Sequence, residues 1–258
     1  MRLTFLGTGT SFGIPQIGCG CAVCHSPDPR DRRTRVGALV ETDVGRRILI
    51  DTPPELRLQL VAAGVGAIDA VLFTHDHADH THGIDDLRAF SAATGRAVPA
   101  YASAETVAGL MRKFSYIFDD ALKPLPGTYK PEGQLEMLEP GVPREIAGVT
   151  VTPFVVPHGH ARVFGYRIGL LGYVTDAKRL PDDALDVLRG VRVLVLNALF
   201  HKPHPTHLSI AEAVEAAARV GAERTYLIHL THHTSHASLE AELPPNVRPA
   251  YDGLTVEV

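Results

Sequence analysis

The sequence contains no stretch approaching the roughly 20 apolar residues of a membrane span, and its start, Met1-Arg2-Leu3-Thr4-Phe5-Leu6-Gly7, lacks the long apolar segment of a secretory leader. No membrane association is expected, and the expected location is cytoplasmic. The 25 Lys and Arg residues form no basic run or stripe, and the net charge is -4. Tight electrostatic binding to nucleic acid is therefore not expected. Cysteine is scarce: only Cys19, Cys21 and Cys24 occur. An odd number packed into six residues argues against a disulfide framework and for metal, with a Cys21-x2-Cys24 redox pair as the alternative. Nothing indicates disorder. With 258 residues and 45% hydrophobic content, the chain can bury a substantial core, and it is read as one domain, 1–258.

What is abundant is histidine, and it is not scattered. All 14 fall at His25, within 75 to 82, 158 to 160, 201 to 207, and 229 to 236. Around the second of these the run Val71-Leu72-Phe73-Thr74 reads as the end of a buried strand, followed by His75, Asp76, His77, Asp79, His80 and His82. If the extended backbone persists, the two-residue period puts His75 and His77 on one side, where both imidazoles reach one ion. Asp79 and His80 follow after a turn and can face a second ion, as a two-metal hydrolase requires. So many ionisable groups at a strand end repel or lose solvation unless a cation compensates.

The C-x-C-x2-C loop supplies three thiolates, and tetrahedral closure around zinc needs a fourth ligand. His25, His232, His233 and His236 are all open to that role. Elsewhere, strands are expected at Leu3 to Leu6, at Val36 to Glu41 with Arg47 to Ile50 as a hairpin, at Val98 to Ala102, and at Val149 to Val156. Further strands are expected at Val163 to Ile168, Leu171 to Val174, Val191 to Leu196 and Thr225 to Ile228. Helices are expected over Glu55 to Ala63, from Gly83, and over Ala104 to Phe114; residues 115 to 134 read as irregular, open to use as a homodimer contact or a pocket wall. Four of the strands end on His75, His158, Asp176 and His229. Strand ends along one rim converge on one site. His207 precedes a helix start at Ser209, whose Glu212 three residues on makes a capping box.

The H-x-H-x-D-H run at the end of an apolar strand resembles the metallo-β-lactamase superfamily. That resemblance implies an α/β fold, a four-layered αβ/βα sandwich with two mixed sheets, and a binuclear centre. One ion would take His75, His77 and His158, the other Asp79, His80 and His229, with Asp176 bridging. Asp51 would orient a metal-binding histidine, and the Leu6-Gly7-Thr8-Gly9 turn would lie near the site. Within the superfamily the chain is similar to the phosphoribosyl 1,2-cyclic phosphate phosphodiesterase group of phosphonate breakdown. Three features carry this: the Cys19, Cys21 and Cys24 loop, which in that group holds a structural zinc; His232, three residues after His229, which would complete it; and His207, which matches a catalytic histidine.

The expectation is a metal-dependent phosphodiesterase for a small, possibly cyclic, phosphodiester. It would use two catalytic divalent ions, Zn or Mn, a metal-bridging hydroxide, one structural Zn, and His207 and Asp79 as catalytic residues. Three rivals stand beside it: a tRNA 3′-processing endonuclease, a lactonase or thioesterase of the same superfamily, and a non-catalytic zinc-binding module.

Overall fold

The structure, a computed structural model, describes residues 1–119 and 121–258. Six strands lie side by side in chain order: β1 (Arg2–Gly7), β2 (Gly37–Glu41), β3 (Arg47–Ile50), β4 (Ala70–Leu72), β5 (Val98–Ala102) and β6 (Gly133–Met137). A second sheet follows the same plan with β7 (Arg144–Ile146), β8 (Val149–His158), β9 (Ala161–Ile168), β10 (Leu171–Tyr173), β11 (Val193–Asn197), β12 (Arg224–Ile228) and β13 (Val247–Pro249). Strand β14 (Thr255–Glu257) returns to the first sheet beside β1. Each sheet begins as antiparallel hairpins and ends as parallel strands, β3 through β6 in one and β10 through β13 in the other. Parallel neighbours need a crossover, and most of the helices supply it.

Helices α1 (Leu56–Ala62), α2 (Ala78–Thr81), α3 (Arg88–Thr94), α4 (Ala104–Lys113) and α5 (Ser115–Phe118) belong to the first half; α6 (Asp182–Leu188), α7 (Ile210–Val220) and α8 (His236–Glu242) belong to the second. The side-chain alternation of the strands sets the layers. Ala70 and Leu72 join the core between the sheets while Val71 and Phe73 face the helices. Val193 and Val195 likewise point to the central core, and Leu194 and Leu196 to the outer one with Ala213, Ala217 and Leu188. The order helix, sheet, sheet, helix is the four-layered αβ/βα sandwich that the resemblance implies. Each fully buried Leu, Ile or Val contributes about 1.5 to 3 kcal/mol, and a one-residue slip of register would turn every such residue to the wrong face.

Some local expectations change. The strand expected over Val71 to Thr74 ends at Leu72; Phe73 N–H still bonds the Tyr101 carbonyl (2.9 Å), and the chain departs at Thr74, whose N–H donates to Asp51 Oδ1 (2.8 Å) instead. The helix expected from Gly83 begins as a 3₁₀ turn over Ile84–Leu87 and becomes α-helical at Arg88. The segment 115 to 134 contains the single helical turn α5 and the start of β6; position 120 within it lies outside the described residues. No helix among the described residues is long and apolar enough to cross a membrane.

The two sheets meet at the ends of β4 and β9. Phe164 N–H donates to the Thr74 carbonyl (2.9 Å), and the buried Tyr166 hydroxyl donates to the Phe73 carbonyl (2.6 Å). These bonds draw the histidine-bearing turn of one sheet against the hairpin of the other.

Candidate metal centre

The turn after β4 is the heart of the site. His77 is the residue before α2 and its side chain makes no cap bond, so the imidazole is free to point elsewhere. One turn of α2 then brings Asp79 and His80 inward. One ligand atom from each of His75, His77, His158 and Asp176 lies within 4.8 Å of the others, as do those of Asp79, His80 and His229.

Asp176 joins the two groups. Its Oδ2 is 3.9 Å from His75 Nε2 and 3.7 Å from His158 Nε2, whereas its Oδ1 is 3.4 Å from both His80 Nε2 and His229 Nε2. Asp79 Oδ2 faces the second pair at 3.5 and 4.0 Å. These separations exceed ordinary N–H···O bonds. Two ligands about 2.1 Å from one tetrahedral ion stand about 3.4 Å apart, so the spacing is that of atoms sharing a cation. The Nε2 atoms of His75, His80 and His229 are moreover buried without a hydrogen-bond partner. Buried polar atoms left unpaired are costly, and a cation satisfies all three. The donor set fits divalent metal.

The opposite ring nitrogens hold the imidazoles in place. His80 Nδ1 donates to Asp51 Oδ2 (2.7 Å), and His158 Nδ1 donates to the Thr206 carbonyl (3.0 Å). The Thr74 hydroxyl gives its one proton to Asp51 Oδ2 (2.8 Å) and so accepts from His75 Nδ1 (3.0 Å). In each case Nδ1 carries hydrogen and Nε2 keeps its lone pair for metal. Asp51 thus sits where the sequence reading places it, while Thr74 and the Thr206 carbonyl were not foreseen; a threonine or a backbone oxygen leaves no signal in sequence. Asp76 turns away, paired with Lys113 Nζ at 2.8 Å.

Backbone strain concentrates here. Asp51 (φ 61°), Asp176 (φ 51°) and His229 (φ 58°) are non-glycine residues in the left-handed region, a conformation worth roughly 1 to 3 kcal/mol of strain each that persists where surrounding contacts enforce it. The charges are equally forced. Burial alone would raise the Asp176 carboxyl, but His229 and His80 outweigh it and hold the group well below the usual carboxylate range. Burial alone would lower His80, but Asp176 and Asp51 push it well above its ordinary value. A cation takes the place of that proton, so metal affinity weakens toward acid pH. Asp51→Asn keeps the volume but removes the charged acceptor, and it is expected to weaken metal binding roughly 10- to 100-fold, measured by competition with a chelator. An unchanged affinity would remove Asp51 from the orienting role.

The cysteine loop meets its fourth partner across the fold. His232 Nδ1 lies 3.2, 3.6 and 3.4 Å from the sulfurs of Cys19, Cys21 and Cys24. A sulfur at 2.3 Å and a nitrogen at 2.05 Å on one tetrahedral zinc stand about 3.6 Å apart. The other candidates are engaged: His25 Nδ1 faces the Cys21 carbonyl (3.2 Å), His233 Nδ1 the Thr231 hydroxyl (2.8 Å), and His236 Nδ1 the Arg33 guanidinium (3.2 Å). The Cys24 N–H lowers Cys21 to about 6, and burial pushes Cys24 up to about 11. Cys21→Ser and His232→Ala are each expected to lose one zinc per chain and several degrees of Tm, at roughly 2 to 4 °C per kcal/mol. Turnover should change far less, since the chain has its own core. Unchanged zinc content in His232→Ala would return the fourth position to His25, His233 or His236.

His207 stands behind the capping box Ser209–Glu212 at the start of α7. Its ring stacks on His229 (centroids 4.6 Å) and meets His158 edge-on (4.6 Å); a ligand atom of His207 lies within 4.8 Å of those of Asp176 and His229. Burial first, and then His229, lower it to about 3. His207 and His229 close the inner end of a cleft of about 280 Å³. Its outer walls, with Phe12, Gln16 and Phe200, were not foreseen as functional.

Residues 46–230 match the family model of the beta-lactamase superfamily domain. An octanoyltransferase of Porphyromonas gingivalis is 39% identical over 256 residues, which is 98% of this chain and 51% of that protein. A ribonuclease Z of Bradyrhizobium sp. is 30% identical over 189 residues, 70% of this chain and 53% of that protein. The chain therefore spans about half the length of these two relatives. A crystal structure described as a new diphosphatase from the PhnP family superposes with a TM-score of 0.90 at 40% identity, covering 100% of this chain and 97% of that one. Zn²⁺-bound PqqB from Methylobacterium extorquens, at 21% identity and a TM-score of 0.81 over 100% of both chains, shares the fold.

Proposed function

This chain belongs to the metallo-β-lactamase superfamily, as a metal-dependent hydrolase of its PhnP-like group, and from that premise we propose that it is a phosphodiesterase acting on a small, cyclic or linear, phosphodiester. The observation that carries the reading is the Asp176 carboxylate, with one oxygen toward His75 and His158 and the other toward His80 and His229. Such a divided carboxylate suits two ions rather than one.

His75, His77 and His158 would hold one divalent ion and Asp79, His80 and His229 the other, with Asp176 offering an oxygen to each group; Zn and Mn each accept this mixture of imidazole and carboxylate. When bound, two such ions supply a hydroxide nucleophile at neutral pH and positive charge against the phosphoryl oxygens. The protein's residues do the rest. Asp79, the more exposed of the two carboxylates, accepts the proton of the attacking water. His207, neutral in its buried position, donates an N–H hydrogen bond to the oxygen on which charge builds as the P–O bond breaks, and the proton that Asp79 has taken passes to that oxygen by way of solvent, so that it departs as the alcohol and Asp79 is restored. The cleft receives the departing alcohol. Its size, about 280 Å³, favours a small ester over a tRNA end.

A panel of cyclic and linear phosphodiesters, a lactone and a thioester, each assayed with Mn²⁺ and with Zn²⁺, tests the reading. Turnover of the phosphodiesters with either ion is expected. Turnover of the lactone or thioester with none on any phosphodiester would give the site to a different ester chemistry.

A further inference from the structure

Strand β11 is apolar from Val193 to Leu196 and ends on Asn197, an amide with no exposed surface. A fully buried asparagine is costly unless its polar atoms are paired, and the partner of this one is Ala177, the residue after Asp176. Ala177 N–H donates to Asn197 Oδ1 (2.9 Å), and Asn197 Nδ2 donates to the Ala177 carbonyl (3.1 Å). The backbone explains why a side chain is needed there. Strand β10 runs beside β11 as far as Tyr173, and Val174 N–H still donates to the Val195 carbonyl (2.9 Å). Asp176 then takes the left-handed conformation (φ 51°) and turns the chain out of the ladder, so that Ala177 N–H meets no strand carbonyl. A short carboxamide, with one face of donor and one of acceptor, substitutes for the missing peptide group.

The same pair lies between the segments that carry four residues of the site. The Ala177 carbonyl also accepts from Leu208 N–H (2.8 Å), next to His207, and the Leu208 carbonyl accepts from Leu199 N–H (2.9 Å). Lys178 N–H donates to the Pro157 carbonyl (2.8 Å), next to His158, and Ala198 N–H donates to the Ile228 carbonyl (2.9 Å), next to His229. Of these bonds between segments, only those of Asn197 come from a side chain. The others are backbone bonds that any sequence could make once the segments are in place.

We propose that Asn197 is a positioning residue of the metal centre: its amide fixes the peptide behind Asp176, and so holds the Asp176 carboxylate between the two histidine groups and, through Leu208, sets the place of His207. The proposal rests on the two-ion reading. Asn197→Leu keeps the approximate volume and removes both bonds, whereas Asn197→Asp keeps an acceptor for Ala177 N–H. Val195→Ala, on the same strand but facing the core between the sheets, controls for a general loosening of β11. Competition with a chromophoric chelator, on protein that retains its cysteine-loop zinc, is expected to show catalytic metal bound roughly 10- to 100-fold more weakly in Asn197→Leu. The loss should be smaller in Asn197→Asp and absent in Val195→Ala, although that variant also lowers Tm. The visible absorption of the Co²⁺-loaded protein should likewise change in Asn197→Leu and not in Val195→Ala. Unmodified metal affinity in Asn197→Leu, or a loss matched by Val195→Ala, overturns the proposal. Should Asn197→Leu fail to fold, Asn197→Asp decides: affinity below that of Val195→Ala supports the role, and equal affinity overturns it. If the unmodified protein takes up a single catalytic ion, the two-ion reading falls, and the affinity for that ion in the Asn197 variants still decides the positioning role on the same terms.

Discussion

Asp176→Ala is expected to strip at least one ion from the catalytic centre and abolish turnover in the same step. Two dications held roughly 3.5 to 4 Å apart repel by many kcal/mol even at an effective dielectric constant of about 20, and the carboxylate whose oxygens face both histidine groups offsets that repulsion. Without it, His75, His77 and His158 can still hold one ion weakly, because a three-imidazole set remains. Elemental analysis should therefore show at most one metal in addition to the zinc of the cysteine loop. Activity should fall at least as steeply as occupancy. Asp176→Asn, which keeps the shape, should follow the alanine variant, since a neutral amide does not bridge cations. Full metal content with lost activity in both variants would make Asp176 something other than a ligand.

The second large effect is His207→Ala, and it differs in kind. His207 touches the ligand histidines through its ring faces and edge and is not needed to complete either set. Metal content should stay at the unmodified level. Turnover should fall by roughly 10²- to 10³-fold, the usual loss for one donor aimed at developing charge. The loss should shrink with a nitrophenyl ester, whose departing oxygen carries less charge, and an equal loss on both esters would move the hydrogen bond to a phosphoryl oxygen. The pH profile is a further check. With burial and His229 lowering His207 to about 3, the imidazole is uncharged from pH 5 to 8. Removing it should therefore scale kcat/KM across that range without deleting a limb. A limb near pH 6 to 7 that vanishes in the variant would mean that the charged form is the working one. Loss of metal from His207→Ala would make it a ligand.

Several elements of this molecule were readable before any fold was known, and each for a local reason. The strand before His75 announces itself by a run of apolar and β-branched residues, and the six ionisable groups after it lie within eight positions, so no folding is needed to bring them together. The capping box at Ser209 and Glu212 is a spacing of three and appears as expected. The αβ/βα layering was implied by the resemblance to the superfamily, and the side-chain alternation of the strands is how the fold builds it. By contrast, α6 passed unread, because its Asp-rich first turn hides a short apolar face.

The sequence by itself determined which residues are the candidates for the chemistry: three thiolates in one loop, and histidines or aspartates at four strand ends. Their pairing was a tertiary decision. His232 is chosen over three other histidines because the chain crosses 213 positions to bring its Nδ1 to Cys19, while hydrogen bonds or the Arg33 guanidinium engage the corresponding nitrogens of His25, His233 and His236. The division into two histidine groups is set by the turns that carry them, and the Asp176 carboxylate spans both with its Oδ1 held by the Thr175 hydroxyl (2.7 Å). Phe12 lines the cleft only because a turn at Thr10, the left-handed Gly13 and a bridge from Ile14 to Arg33 place it there. Local spacing encodes what is near in the chain; orientation between distant segments is set by the packing of two sheets, which no single stretch contains.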